Sequence, residues 1–196
     1  MEIRIRPAQQ PDDPAIEKIE LAADALLVDL FAAVDWPPPT SAQDRASMPG
    51  FVLVAEPDEV GAPSPEPVGF VHVLEIDGHA HLEQLSVLPS FGRRGIGRRL
   101  VQAALSEARR RGHRTITLRT YRDVPWNAPF YTSAGFSVTE PDSPLLRSLI
   151  ETETTLGLFR YGARVQRWRR LSEGTTLTVF ALCTTGICSD QRMASS

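Results

Sequence analysis

The sequence predicts a single α/β domain, and three observations indicate it. Segments of alternating or continuous apolar residues are interleaved with segments whose apolar residues recur every three or four positions. Of the 196 residues, 42% are hydrophobic, which is enough for one well-buried core but short for two full domains. No internal repeat or low-complexity segment interrupts the pattern. We expect a folded domain over residues 1–171 and a tail or extra strand over 172–196.

The individual elements follow from these two periods and from the turn signals between them. Pro14 suits the first turn of a helix that begins near Asp13. Asp77 and Gly78 predict a tight hairpin turn between two strands. The predicted strands cover residues 2–6, 51–55, 68–76, 79–87, 115–119, 136–139 and 162–168, and the predicted helices cover about 13–33, 95–111 and 128–134.

The segment from Leu85 to Leu100 predicts a strand, a glycine-containing turn and a helix in direct succession. The first turn of a helix has unpartnered backbone N–H groups and the positive end of the helix dipole, so an anion such as pyrophosphate fits there. Gly95 and Gly97 have no Cβ, which lets phosphates approach the backbone amides. The residues predicted to form this anion site are Arg93, Arg94, Gly95, Ile96, Gly97 and Arg98.

Two familiar phosphate-binding motifs do not match this segment. The chain has no P-loop sequence, and Leu100 stands where a dinucleotide-binding motif needs its third glycine. The segment resembles the acyl-CoA-binding signature of the GNAT N-acetyltransferase superfamily, Gln/Arg-x-x-Gly-x-Gly/Ala. Gly92 replaces the first residue of that signature, which removes one side chain but leaves the backbone amides in place.

A second motif, from Trp126 to Phe136, strengthens this resemblance. It is similar to the family segment in which an asparagine precedes Phe-Tyr and then Gly-Phe, here with Asn127 and Tyr131. The resemblance implies a mixed, mostly antiparallel sheet flanked by helices, with two strands splayed apart at an acetyl-CoA cleft. It also implies that residues 1–171 form an N-acetyltransferase domain and that Asn127 contacts the cofactor.

The implied reaction moves an acetyl group from acetyl-CoA, as co-substrate, to a primary amine of a small molecule or peptide, without a metal. In the family the tyrosine at the position of Tyr131 is a general acid, and a phenol of pKa ~10 is a competent donor to a thiolate of pKa ~8.5. The alternative is that Tyr131 only packs with neighbouring aromatic rings. The resemblance further implies that the backbone of Leu85, Ser86 and Val87 pairs with the pantetheine arm.

Two residues are candidate bases for deprotonating the amine. Glu83 matches the position of a family glutamate that acts through water, and strand alternation predicts that Glu83, Leu85 and Val87 share one face with His81. A histidine has a suitable unperturbed pKa of ~6.5. The alternatives are that Glu83 is a surface partner of an arginine, that His81 is an exposed strand residue, or that a chain of waters removes the proton.

The distribution of charge indicates the ligands. The net charge is −3, yet ten of the 21 basic residues are arginines between Arg93 and Arg122, which suits polyanionic CoA. The alternative for Arg109, Arg110 and Arg111 is a solvated helix face. The acceptor region of the family corresponds to residues 21–49, where Trp36, Asp29 and Asp35 favour a cationic amine, although a surface helix and loop explain them equally.

Further expectations concern other functions and location. A CoA-responsive binding or regulatory module without turnover is the second functional hypothesis, and nucleic acid is not an expected partner because the arginine-rich helix lacks interleaved aromatic residues. Two cysteines, Cys183 and Cys188, are too few for a disulfide framework, which favours a reduced, cytoplasmic setting. No segment predicts a signal peptide or membrane span. A homodimer formed through C-terminal strands is a further expectation.

Overall fold

The computed structural model describes residues 2–58 and 65–171, which form one seven-stranded sheet with helices on both faces. The expectations for 172–196, including Cys183 and Cys188, lie outside the described residues. The strands are β1 (Ile3–Pro7), β2 (Gly50–Pro57), β3 (Gly69–Ile76), β4 (His79–Val87), β5 (Thr115–Tyr121), β6 (Ser137–Thr139) and β7 (Arg164–Arg170). The α-helices are α1 (Asp13–Phe31), α2 (Ala42–Ser47), α3 (Ile96–Arg110), α4 (Asn127–Ser133) and α5 (Pro144–Thr155).

The sheet has the order β1-β2-β3-β4-β5-β7-β6. Only β4 and β5 are parallel neighbours, and every other pair is antiparallel. Asp77 and Gly78 both have positive φ, 50° and 78°, as a tight turn between β3 and β4 requires. The predicted fold class, a mixed and mostly antiparallel sheet flanked by helices, is confirmed.

The parallel strands β4 and β5 separate after a short stretch of pairing. Residues 80–82 of β4 pair with 116–118 of β5, and the register ends there. From Gln84 to Val87, β4 pairs with β3 on one side and has no strand partner among the described residues on the other. Meanwhile β5 continues to Tyr121 alongside β7. The predicted splayed strand pair is therefore present, and it leaves a gap open along one edge of β4.

A β-bulge at Glu83 changes which side chains share a face of β4. His72 pairs with Gln84 while Val73 pairs with Leu82, so Glu83 is the extra residue. After the bulge, Leu85 and Val87 pack on the same core as Leu82. Glu83 lies beside His81, as predicted, but the prediction that Leu85 and Val87 share their face is wrong, because it assumed an unbroken period of two.

Two helices supply most of the packing against the two faces of the sheet. On one face lies α3, whose apolar stripe is buried as the helical spacing predicted: Ile96, Leu100, Val101, Ala104, Leu105 and Ala108. On the other face, Ile16 and Ile19 of α1 pack against Val54 and Phe70. The sheet beside the gap is therefore covered by a helix on each face, α3 on one and α1 on the other.

Two short helices were not predicted. The helix α5 starts with Pro144 in its first turn, and the Ser143 side chain accepts a hydrogen bond from the Leu146 amide at 3.2 Å. This Ser-Pro start was a readable capping signal. The helix α2 spans only six residues, too few for a periodic pattern. None of the described helices is long and apolar enough to cross a membrane.

Candidate active site

The turn between β4 and α3 presents a run of unpaired backbone amides. The amide of Gly92 donates to the Pro89 carbonyl at 3.0 Å, and that of Arg99 donates to the Gly95 carbonyl at 3.1 Å. Between them, the amides of residues 93–98 have no backbone acceptor within the described chain. Gly95 adopts φ 78°, a left-handed conformation that suits glycine. Such a run of N–H groups at a helix start is suited to a phosphate or pyrophosphate.

The arginines of this turn are exposed, and two of them also hold protein atoms. The Arg94 guanidinium donates to the Ser90 carbonyl at 3.2 Å and lies over the Phe91 ring at 5.1 Å. Arg98 donates to the Ser133 carbonyl and hydroxyl at 3.2 and 2.9 Å. Arg93 has a strained φ of 59°. Positive charge therefore surrounds the unpaired amides, while Arg98 ties the start of α3 to the end of α4.

The part of β4 that is not paired with β5 presents its backbone N–H and C=O groups, rather than side chains, to the gap. Leu85 and Val87 pack against the core. Ser86 is buried on the other face, where its hydroxyl accepts a hydrogen bond from the side-chain amide of Gln84 at 2.9 Å. Because this edge has no strand partner in the described ranges, it is free to pair with an extended ligand. The edge leads from the unpaired amides of the turn to Glu83.

The helix α4 carries the residues of the second motif. The Asn127 side-chain amide donates to Thr120 Oγ1 at 2.9 Å, which fixes the start of α4 at the end of β5. The Tyr131 ring makes edge contacts with Phe130 and Phe136, at centroid distances of 5.0 and 5.9 Å. Asn127 and Tyr131 are thus brought to the same side of the sheet as α3.

The phenol of Tyr131 keeps its proton throughout the physiological range. Burial raises the pKa of Tyr131 to about 12, although the charges of Arg164 and Arg167 act in the opposite direction. The packing contacts and a role as proton donor are compatible, since rings that fix the side chain also orient its hydroxyl.

Arginines outside the two sequence motifs hold the C-terminal end of α4. Arg167, buried beneath the helix, donates to Thr132 Oγ1 at 3.1 Å and to the Phe136 carbonyl at 3.4 Å. Arg169 donates to the Ala134 carbonyl. With Arg98, these side chains place positive charge at the negative end of the helix dipole. We call Arg98, Arg167 and Arg169 the arginine clamp. The clamp fixes the helix that carries Tyr131.

Of the two candidate bases, His81 is buried and neutral. It is 2% exposed, and its Nδ1 lies 2.8 Å from Thr117 Oγ1. Burial, aided by the charges of Arg119 and Arg164, lowers the pKa of His81 to about 3. His81 therefore lacks the pKa near 6.5 that made it a candidate base, and it is not an exposed strand residue.

Glu83 retains the properties of a base. Its carboxylate lies 3.8 Å from His81 Nε2, and its side chain is 43% exposed, so water reaches it. Desolvation of its carboxyl group raises the pKa of Glu83; the charge of Arg164 lowers this pKa, and the charges of Glu153 and Glu20 raise it. No lysine or arginine pairs with Glu83 in the part of the chain that the structure describes. The surface ion pair considered as an alternative is absent there.

The predicted acidic residues of the acceptor region differ from those found at the gap. Asp35 accepts hydrogen bonds from Arg160 and from the Tyr161 hydroxyl, so its charge is compensated, and Asp29 is exposed on α1. Trp36 instead donates to Asp24 at 3.1 Å, a residue that the sequence reasoning did not single out. Trp36 and Asp24 are twelve positions apart in the sequence, and they meet because the chain turns back after α1.

Charges elsewhere on α3 have a structural role. Arg110 and Arg111 pair with Glu107 at 2.6 and 2.7 Å, and Arg111 also pairs with Glu75 at 2.8 Å. These arginines fit the alternative of a solvated helix face. Across residues 2–58 and 65–171, no group of three or more histidine, cysteine, aspartate or glutamate side chains is arranged to hold a metal ion.

Comparison with protein families gives this arrangement its class. The model of the acetyltransferase (GNAT) family matches residues 19–136, a range that contains the gap, the unpaired amides and Tyr131. The chain belongs to this family.

Solved structures share the fold at low sequence identity. The ribosomal-protein-S18-alanine N-acetyltransferase from Escherichia coli matches with a TM-score of 0.61 and 19% identity, over 91% of this chain and 100% of that one. A GNAT acetyltransferase from Staphylococcus aureus has a TM-score of 0.61 and 15% identity, over 87% and 100%. The PaiA N-acetyltransferase from Thermoplasma acidophilum, solved with coenzyme A, has a TM-score of 0.58 and 18% identity, over 87% and 99%. These similarities show the fold.

Proposed function

We propose that this protein is an N-acetyltransferase that transfers the acetyl group of acetyl-CoA to a primary amine of a small molecule or peptide. The observation that carries the proposal is the run of unpaired amides at residues 93–98, which stands at the head of a strand edge that the splay leaves open. Tyr131 and Glu83 are the titratable groups proposed to act beside this gap. The solved PaiA N-acetyltransferase, bound to coenzyme A, supports the choice of cofactor through its shared fold.

The residues present fit acetyl-CoA. The amides of 93–98 would hold the pyrophosphate, with Arg93, Arg94 and Arg98 supplying charge around it. The open backbone edge of Leu85, Ser86 and Val87 would pair with the pantetheine arm. Asn127, fixed by Thr120, would contact the cofactor at the start of α4. Gly92 supplies no side chain to this site, and the arrangement of the backbone amides at residues 93–98 does not depend on one.

The chemistry requires three groups. The neutral amine nitrogen forms a bond to the acetyl carbon, the carbon–sulfur bond breaks, and the sulfur leaves with its electron pair. Glu83 accepts the proton that the amine loses, through water, because its side chain is partly exposed and forms no ion pair with a lysine or arginine in the described chain. Tyr131 donates its proton to the departing thiolate. Backbone amides beside the gap polarise the thioester carbonyl.

Release of free CoA thiol in the presence of a panel of primary amines tests this function. We expect amine-dependent thiol release and a product heavier by one acetyl group. Binding of acetyl-CoA without thiol release by any amine would favour the second hypothesis, a CoA-responsive module without turnover. Absence of both binding and release would contradict the cofactor assignment itself.

A further inference from the structure

Four aromatic rings pack together on the α1 side of the gap. Phe31 ends α1, Trp36 lies in the loop that follows, Tyr121 ends β5, and Tyr161 precedes β7. Their centroid distances run from 4.9 Å, for Phe31 and Tyr121, to 6.3 Å. Tyr121 stands three residues past Leu118, where β5 stops pairing with β4, so this aromatic cluster borders the gap. Three of the rings are half-buried, which leaves part of each accessible.

One carboxylate joins the aromatic cluster to β4. Trp36 Nε1 donates to Asp24 Oδ2 at 3.1 Å, which turns the carboxylate toward the rings. Burial raises the pKa of Asp24 to about 6; the hydrogen bond from Trp36 and the nearby side-chain amide of Gln84 lower it, and the charge of Glu20 raises it. Gln84 follows Glu83 in β4, and its side chain lies near Asp24, so Asp24 lies against the strand segment that carries Glu83.

The other carboxylates of this region are already neutralised. Glu20 pairs with Arg45 at 2.6 Å, and both side chains are buried. Glu153 pairs with Arg119 and with Arg164, each at 2.8 Å. Asp24 has no lysine or arginine partner in the described ranges, and the same holds for Glu83. Two carboxylates beside the gap are therefore available to positive charge from a ligand.

The chemistry of such a site is specific. A carboxylate withdrawn from water without a counter-ion is costly, so a bound cation stabilises it. Half-buried aromatic rings add attraction for an ammonium group through their electron-rich faces. The nitrogen that attacks the thioester must be neutral when it reacts, so it cannot compensate both carboxylates. A second nitrogen of the acceptor can.

We propose that the acceptor is a dicationic amine, in which one nitrogen is acetylated beside Glu83 and a second, protonated nitrogen binds Asp24 and the aromatic cluster. This inference rests on the proposed acetyltransferase function and specifies its substrate class. Asp24 and Trp36 are then the residues that determine acceptor specificity.

The test compares acceptors that differ only in the second charge. Thiol release is measured with 1,4-diaminobutane, n-butylamine and 4-amino-1-butanol at one pH and ionic strength. We expect kcat/KM for the diamine to exceed that for either monoamine by about tenfold or more, the factor that corresponds to roughly 1.4 kcal/mol. Asp24→Asn should bring the ratio of diamine to monoamine close to one.

Two further variants guard against misfolding and against unspecific charge effects. Trp36→Phe keeps a ring but removes the N–H that holds Asp24, and it should reduce the same ratio even if Asp24→Asn does not fold. Glu151→Gln removes an exposed carboxylate of α5 and should leave the ratio at the wild-type value. Equal use of diamine and monoamines by the wild type, or a ratio that neither site variant changes, would overturn the inference while leaving the acetyltransferase intact. Failure to acetylate any amine would overturn both.

Discussion

The hydroxyl of Tyr131 is the single group on which the proposed leaving-group chemistry depends. Tyr131→Phe keeps the ring contacts with Phe130 and Phe136 and removes only the proton donor. We expect kcat to fall by ~10²-fold or more while acetyl-CoA affinity stays nearly unchanged. Steady-state thiol release and calorimetric titration measure the two quantities separately. An unchanged kcat would leave Tyr131 with a packing role alone.

Individual site residues differ in how far the sequence predicts them. The residues proposed for pyrophosphate binding are contiguous from Arg93 to Arg98, so one motif contains them all. Asp24 needs Trp36 to fold back over α1, which is a tertiary contact without a local pattern. His81 looked like a base because its burial, and the resulting fall of its pKa, depend on neighbours in other strands and helices.

At the scale of elements, the arginine clamp on α4 is expected to affect turnover more than cofactor binding. Arg167→Met removes a hydrogen bond to Thr132 at the end of α4, another to Phe136 just beyond it, and a charge that lowers the pKa of Tyr131, so the phenol becomes a poorer and less well-placed acid. We expect a roughly tenfold loss of kcat with a smaller change in the KM for acetyl-CoA.

Two matched variants distinguish this positioning role from a general loss of charge or stability. Arg167→Lys retains the charge and should recover part of kcat. Arg110→Met removes an exposed arginine whose partner is Glu107, and it should behave as the wild type. Equal kcat for Arg167→Met and Arg110→Met, at comparable melting temperatures, would rule out a role of the clamp in turnover.

Long periodic elements are predictable and local irregularities are not. The stripe of α3 repeats over 15 residues, which is why its buried face follows from spacing alone. The bulge at Glu83 inserts one residue into a strand whose letters still alternate, and only the pairing with β3 reveals it. The capping signal of Ser143 and Pro144 was legible, and Leu145, Leu146, Leu149 and Ile150 recur at helical spacing after it, so α5 was predictable although it was not predicted.

For the whole molecule, buried histidines predict how stability depends on pH. Burial is the main cause that lowers the pKa of His72 to about 4 and of His81 to about 3, against an ordinary value of 6.5. The unfolded chain therefore binds protons that the folded chain excludes as the pH falls below about 6.5. The free energy of unfolding should decrease from pH 7 to pH 4, by up to about 1.4 kcal/mol per pH unit for each histidine.

Denaturant unfolding at a series of pH values checks this dependence. His81→Asn should flatten the slope, whereas replacement of the exposed His79 should not. A wild-type stability that does not change between pH 4 and pH 7 would contradict the burial of neutral histidines.

The fold class itself was predictable, because the interleaved periods, the hairpin turn and the two motifs all indicate the same α/β architecture.

Calorimetric titration with acetyl-CoA measures whether the turn before α3 binds the cofactor. Acetyl-pantetheine lacks the pyrophosphate, and ATP and NAD carry phosphates without the pantetheine arm, so the three serve as controls in the same buffer. We predict selective binding of acetyl-CoA, at least about tenfold tighter than acetyl-pantetheine, because the amides of residues 93–98 hold the pyrophosphate. No binding of acetyl-CoA, or equal affinity for acetyl-pantetheine, would contradict the proposed cofactor site.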